Sequence, residues 1–82
     1  MSPMRSLALV LAFTACGLAG ARADDAAACR DGIAEIRAAL DKAPPEPAAG
    51  RLRKALRVAE REAREGEFDE CLDAVRDARA GR

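Results

Sequence analysis

The chain of 82 residues predicts an all-α fold, a small up-down-up bundle of three helices stapled by one disulfide. Three observations carry that prediction. Apolar residues recur at helical spacing in three segments. The only strong breaks between them are "APPEPAAG", Ala43 to Gly50, and the single Gly66. Cys29 and Cys71 both fall on apolar stripes, each near the start of its segment.

Ahead of the first helix, residues 1–23 read as a secretory signal peptide. Met1 to Arg5 carry one positive side chain, Ser6 to Leu18 form an apolar run of h-region length, and "ARA" at Ala21 to Ala23 places small residues where a signal peptidase reads. The run is too short for the roughly 20 apolar residues of a membrane span and is broken by Gly17 and Gly20, so no stable span is expected in the mature chain. A second processing route is written in "FTAC", Phe13 to Cys16. It loosely resembles a bacterial lipobox, with Phe13 in place of the usual leucine, and would leave a lipoprotein anchored through Cys16. Periplasmic or secreted export follows from the first route and a membrane-anchored envelope protein from the second.

Residues 24–82 are then read as one helical domain. The first helix is expected at about 25–42. Asp24 or Asp25 offers an N-cap, Pro44 and Pro45 forbid continuation, and Cys29, Ile33, Ile36 and Leu40 share one face. The second is expected at about 47–65, from a proline suited to a first turn to Gly66 just past the end, with Leu52, Leu56, Ala59 and Ala63 on its stripe. The third, about 68–80, carries Phe68, Cys71, Leu72, Val75 and Ala78 on its apolar side. Val58 reads as a lone exposed apolar residue on the outer side of the second helix.

Cleavage after Ala23 removes Cys16 and leaves Cys29 and Cys71 as an even pair in an oxidising compartment. Short connections make the first and third helices parallel, so both cysteines stand at one end of the bundle, on or beside the core. Their Cα atoms can then approach to the roughly 4.4–6.8 Å that a disulfide requires. Closing a loop of about 42 residues is worth about 4 kcal/mol in the chain-entropy estimate, comparable with the whole net stability of so small a domain.

Composition excludes several function classes. With no His, Trp or Tyr, the chain lacks the usual general base, the commonest metal ligand and the best stacking side chains. Cys29 and Cys71 are too far apart for a CxxC redox motif, no Gly-rich loop follows a strand, and no nucleophile has a base, so no enzyme and no cofactor is expected. From Asp24 onward 12 Lys and Arg stand against 14 Asp and Glu, a balance of about −2 that invites neither nucleic acid nor an anionic membrane.

Two charged strips remain. Arg53, Arg57, Arg61 and Arg64 line one solvent-facing side of the second helix, suited to an acidic partner or phosphate groups. Asp69, Asp73 and Asp77 repeat at i, i+4 and i+8 along the third. The plain reading of both is a solvated face, bridged across the hairpin by surface ion pairs. Helical spacing of carboxylates rarely converges on one ion, so no metal site is assigned.

"LRKALRVAEREAREGEFDECLDAVRDA", Leu52 to Ala78, resembles a single tetratricopeptide-type hairpin. Gly66, Glu67 and Phe68 stand where that repeat turns, Val75 and Ala78 stand at its small and apolar second-helix positions, and Cys71 replaces its alanine. Ala55 and Glu62 depart from its tryptophan and tyrosine positions, and there is no second copy to stack upon. The resemblance implies an antiparallel helix pair.

The function expected from these readings is a non-catalytic interaction module, exported to the bacterial envelope, with an envelope protein as possible partner and a monomeric or weakly oligomeric state. The Ala- and Arg-rich composition fits a GC-rich bacterial genome. The alternative is a periplasmic, stress-related metal or ion binder that uses the acidic face of the third helix.

Overall fold

The computed structural model describes residues 23–82. The expected export signal up to Arg22, and with it Cys16, lies outside the described residues. Within them the chain forms three helices, α1 at 23–41, α2 at Ala48–Arg64 and α3 at Phe68–Ala80, and no strand.

Helix α1 is already formed at residue 23, so Asp24 and Asp25 stand within its turns rather than capping them. Ala23 and the run Ala26 to Ala28 explain this: alanine has the highest helix propensity, and nothing here breaks the pattern. The helix stops at Asp41, one residue short of the expected end. The Lys42 and Ala43 N–H groups donate to the Ala39 and Leu40 carbonyls at 3.3 and 2.9 Å, and Ala43 turns the chain out with a φ of 50°. Pro44 and Pro45 have no N–H to continue the ladder.

Helix α2 begins after Pro47, which has no side-chain cap to offer. Glu46 supplies one from the preceding position. Its Oε2 accepts the Gly50 N–H at 2.9 Å, and its Oε1 accepts from the Arg53 guanidinium at 2.6 Å. A carboxylate at a helix N-terminus satisfies an orphan donor and meets the positive end of the macrodipole. At the other end Gly66 adopts a φ of 76°, while its N–H and that of Glu67 reach the Ala63 and Glu62 carbonyls at 3.1 and 2.9 Å. This is the paired closure that a left-handed residue past a helix makes possible. Helix α3 follows after Glu67, whose backbone is non-helical with a φ of −89° and a ψ of 71°.

Cross-helix contacts fix the directions. Cys29 bonds Cys71, and further along both helices Glu35 bonds Arg79, so α1 and α3 run parallel. In contrast Arg37 pairs with Glu60 while Ala39 and Leu52 border the same cleft, so α2 runs back between them. The fold is the predicted up-down-up bundle.

The core comprises Cys29, Ile33 and Ile36 of α1, Ala55 and Ala59 of α2, and Cys71, Ala74 and Val75 of α3, with Leu40, Leu52, Leu56, Ala63, Phe68, Leu72 and Ala78 half-buried at its edge. Val58 differs from the sequence reading, packing against the core instead of standing alone in solvent, and Ala55 and Ala74 join the core although neither was on a predicted stripe. Both follow from α3 lying closer to that side of α2 than the leucine stripe alone indicates. Leucines of α2 set the direction toward α1, and the small Ala55 and Ala74 let the hairpin close on its other side.

The disulfide joins Cys29 and Cys71 with their Cα atoms 5.9 Å apart, and both residues are 0 % exposed. It lies among the apolar side chains of the bundle, as the coincidence of cysteines with core stripes predicts. Among the described residues no helix is long and apolar enough to cross a membrane.

Candidate functional site

With a core built almost wholly from aliphatic side chains and the disulfide, charged chemistry lies on the surface. No buried polar or charged residue occurs among the described residues. The candidate site is therefore a surface, and the arginines of α2 are its most concentrated feature.

Arg53, Arg57, Arg61 and Arg64 are all exposed, but the structure does not treat them alike. Arg53 is drawn toward the α1–α2 connection, where it holds Glu46. Arg61 contacts its chain neighbour Glu62 at 3.3 Å. Arg57 and Arg64 make no ion pair with another described residue, and these two line one shallow depression with Arg61, Lys54, Val58 and Glu60, whose carboxylate is held by Arg37. Three of the four expected residues thus converge, and Lys54 joins them.

Local structure accounts for part of this strip. Arg61 and Arg64 occupy the last turn of α2, where cations meet the negative end of the helix dipole. Asp69 and Glu70 occupy the first turn of α3, where the opposite charge is favoured. Arg57 has no such role, lying mid-helix and facing solvent. It is the residue of the strip that the fold does not need.

The acidic strip is distributed differently. Asp73 pairs with Arg76 on its own helix, and Asp77 pairs with Arg82 beyond the end of α3, each at 3.2 Å. No three His, Cys, Asp or Glu side chains among the described residues gather so as to hold one metal ion. The ion pairs expected to cross the α2–α3 hairpin do not form. Those that link helices instead join α1 to its neighbours, Arg37 with Glu60 and Arg79 with Glu35. Antiparallel α2 and α3 place the arginines on one outer flank and the aspartates on the other, out of mutual reach.

Glu35 is the best-held carboxylate. Arg79 offers Nε and Nη2 to its two oxygens at 2.8 and 2.9 Å, a fork that matches the carboxylate plane. The hydrogen bonds from Arg79, with its positive charge, hold Glu35 below the usual glutamate value. Glu46 is lowered first by Arg53 and then by the Gly50 N–H. Sequence reasoning missed both glutamates: Glu35 because the relative heights of α1 and α3 are not set by local spacing, and Glu46 because its contacts depend on how the α1–α2 connection folds back over the start of α2.

Comparison with protein-family models, with curated proteins and with solved structures finds no match for this chain.

Proposed function

We propose that this chain is a small exported helical protein that acts as a non-catalytic interaction module of the bacterial envelope. The observation that carries the reading is the Cys29–Cys71 disulfide, wholly buried in a domain whose core is otherwise small aliphatic side chains. A bond of this kind is maintained in oxidising compartments and is rare where thiols are kept reduced. It agrees with the apolar leader and small-residue cleavage site of residues 1–23.

The partner-binding surface is the arginine strip. Arg57 and Arg64 carry the recognition, Arg61 and Lys54 add to the positive field, and Arg53 is reserved for the start of α2. An acidic surface of an envelope protein is the matching chemistry, since exposed guanidinium groups bind carboxylates in planar, bidentate fashion. The hairpin, in its likeness to one tetratricopeptide unit, suits presentation rather than catalysis.

The test is capture from envelope extract under non-reducing conditions, with the wild-type protein and with Arg57→Glu/Arg64→Glu as bait. A protein retained by the first and lost by the second supports the proposal. Identical captures by the two baits, or none by either, contradict it. Intact mass reports on processing: a chain beginning at Asp24 is expected, whereas a lipid-modified chain beginning at Cys16 selects the anchored form.

A further inference from the structure

Between α1 and α2 the surface carries an open dent of about 360 Å³, floored by Ile33, Ala34 and Ala63. The two alanines, one on each helix, leave space that a longer side chain would fill, and Ile33, 9 % exposed, lies at the bottom. Around the rim stand Arg30 and Arg37 of α1 and Glu60 and Arg64 of α2. The one carboxylate of the rim is already engaged, since Glu60 pairs with Arg37 across the two helices.

That pairing strips the neighbouring cations of their local partner. One turn away from Arg30, at i±3 and i±4, stand Ala26, Ala27, Ile33 and Ala34, none of them a carboxylate. Within α2 the only carboxylate one turn from Arg64 is Glu60, which is also the only one so placed for Arg57, and Arg37 holds it. Neither Arg30 nor Arg64 forms an ion pair with another described residue. An apolar floor thus lies between two unpaired guanidinium groups, one on each helix.

We propose that the acidic partner seats one large apolar side chain, flanked by carboxylates, in this dent, with Arg30 and Arg64 holding the carboxylates. The inference deepens the proposed function and rests on its reading of an acidic partner: it brings α1 into the binding surface and makes the recognised segment an acidic peptide with an apolar anchor. Three arginines against one glutamate leave the rim at +2, so the complementary occupant is anionic. An apolar anchor in a pocket, ringed by charged contacts, is how a small interface concentrates its affinity. A small free anion would gain nothing from the floor. The flat surface of an anionic bilayer would rest on the arginines without reaching Ile33.

The test is an NMR titration of the isotope-labelled, oxidised, processed protein with a short capped peptide, a central leucine with two glutamates on each side. It should shift backbone amides of residues 30–37 and 60–64, with a dissociation constant of order 1 mM. Replacing the leucine by glycine should weaken binding roughly threefold or more, and replacing the glutamates by lysines should abolish it. Arg30→Glu and Ala34→Glu, both at exposed positions of α1, should each weaken it roughly fivefold or more while leaving the melting midpoint within a few degrees. Arg51→Glu, outside the dent, should leave it within about twofold at about 150 mM salt. No shifts at about 5 mM peptide, equal binding of the leucine and glycine peptides, or indifference to Arg30→Glu overturns the proposal. So do vesicles of anionic phospholipid that bind through the same residues more tightly than the peptide. Capture from envelope extract separates this inference from the reading beneath it. A protein lost with Arg57→Glu/Arg64→Glu but retained by Arg30→Glu and by Ala34→Glu leaves the strip standing and sinks the seat. Captures indifferent to Arg57→Glu/Arg64→Glu, beside peptide binding that fails with Arg30→Glu and Ala34→Glu, remove the strip and support the seat.

Discussion

Gly32 of α1 rests directly on Val75 of α3: a Cβ placed on Gly32 would stand 2.6 Å from each of the valine's two γ-methyl carbons. Val75 is buried, and the contact lies one turn beyond the Cys29–Cys71 bond, whose Cα atoms are 5.9 Å apart. Glycine and disulfide express the same fact, that the two parallel helices approach closely at this end of the bundle.

Gly32→Ala should therefore destabilise the protein, although alanine is the better helix former by about 1 kcal/mol. A buried β-branched side chain has little freedom to turn aside, and overpacking of this kind costs about 1–3 kcal/mol. The expected net is a fall in melting midpoint of several degrees. On a Val75→Ala background the two 2.6 Å contacts go and only the 3.1 Å contact with the residue-75 Cβ remains, so the cost of Gly32→Ala should fall clearly. Thermal unfolding of the four-membered cycle checks this, and a Gly32→Ala change that stabilises on both backgrounds contradicts the close approach.

Acid should weaken the fold through Glu35 and Glu46. Both are held below the usual glutamate value in the folded state, by Arg79 for the first and by Arg53 with the Gly50 N–H for the second. A lowered carboxylate contributes stability that is complete above its unfolded value and is lost as pH falls through the folded value. The advantage of wild type over Glu35→Gln or Glu46→Gln, read as urea midpoints, should hold near pH 7 and shrink as pH drops below about 4.5. An unchanged advantage near pH 3 would show that these contacts do not depend on ionisation. Both groups are exposed, so the effect is small and salt-sensitive.

Two residues in left-handed backbone make opposite predictions. Gly66, with a φ of 76° and no atom within 4 Å of a would-be Cβ, closes α2 at no steric cost. Gly66→Ala should therefore lose about 1 kcal/mol from backbone strain alone. Ala43 adopts a φ of 50° with a Cβ in place. Ala43→Gly relieves that strain, offset in part by greater freedom of the unfolded chain, and should gain up to about 1 kcal/mol. Chemical denaturation of the two variants reads both signs.

Much of the fold was legible because its signals are local. Proline and Gly66 mark the breaks, helical spacing marks the stripes, and the cysteines on those stripes give the staple and hence the parallel pair. Gly32 was not legible, since a glycine inside a helix carries no sign of the neighbour it admits. Val58 was misread for a related reason. Its position on the α2 wheel is outward relative to the leucines, but α3 packs against the alanine side and half covers it. Exposure of the arginine strip could be read from spacing. The diversion of Arg53 to Glu46 could not, because it depends on how the α1–α2 connection folds back over the start of α2. The Glu35–Arg79 fork likewise needed the relative heights of two helices distant in sequence.

The central claim is that Cys29 and Cys71 form an intramolecular bond that holds the starts of α1 and α3 together and supplies much of the net stability. Cys71→Ser should lower the melting midpoint by well over 10 °C, since about 4 kcal/mol of loop-closure stabilisation is lost from a domain in which 1 kcal/mol moves the midpoint by roughly 4–8 °C. The most direct measurement is a thiol count on the processed protein, unfolded in denaturant without reductant and confirmed monomeric under the same conditions. The account predicts no free thiol per chain before reduction and two after it. Two free thiols before reduction would contradict the bond, the parallel arrangement of α1 and α3 that it fixes, and the oxidising compartment inferred from it.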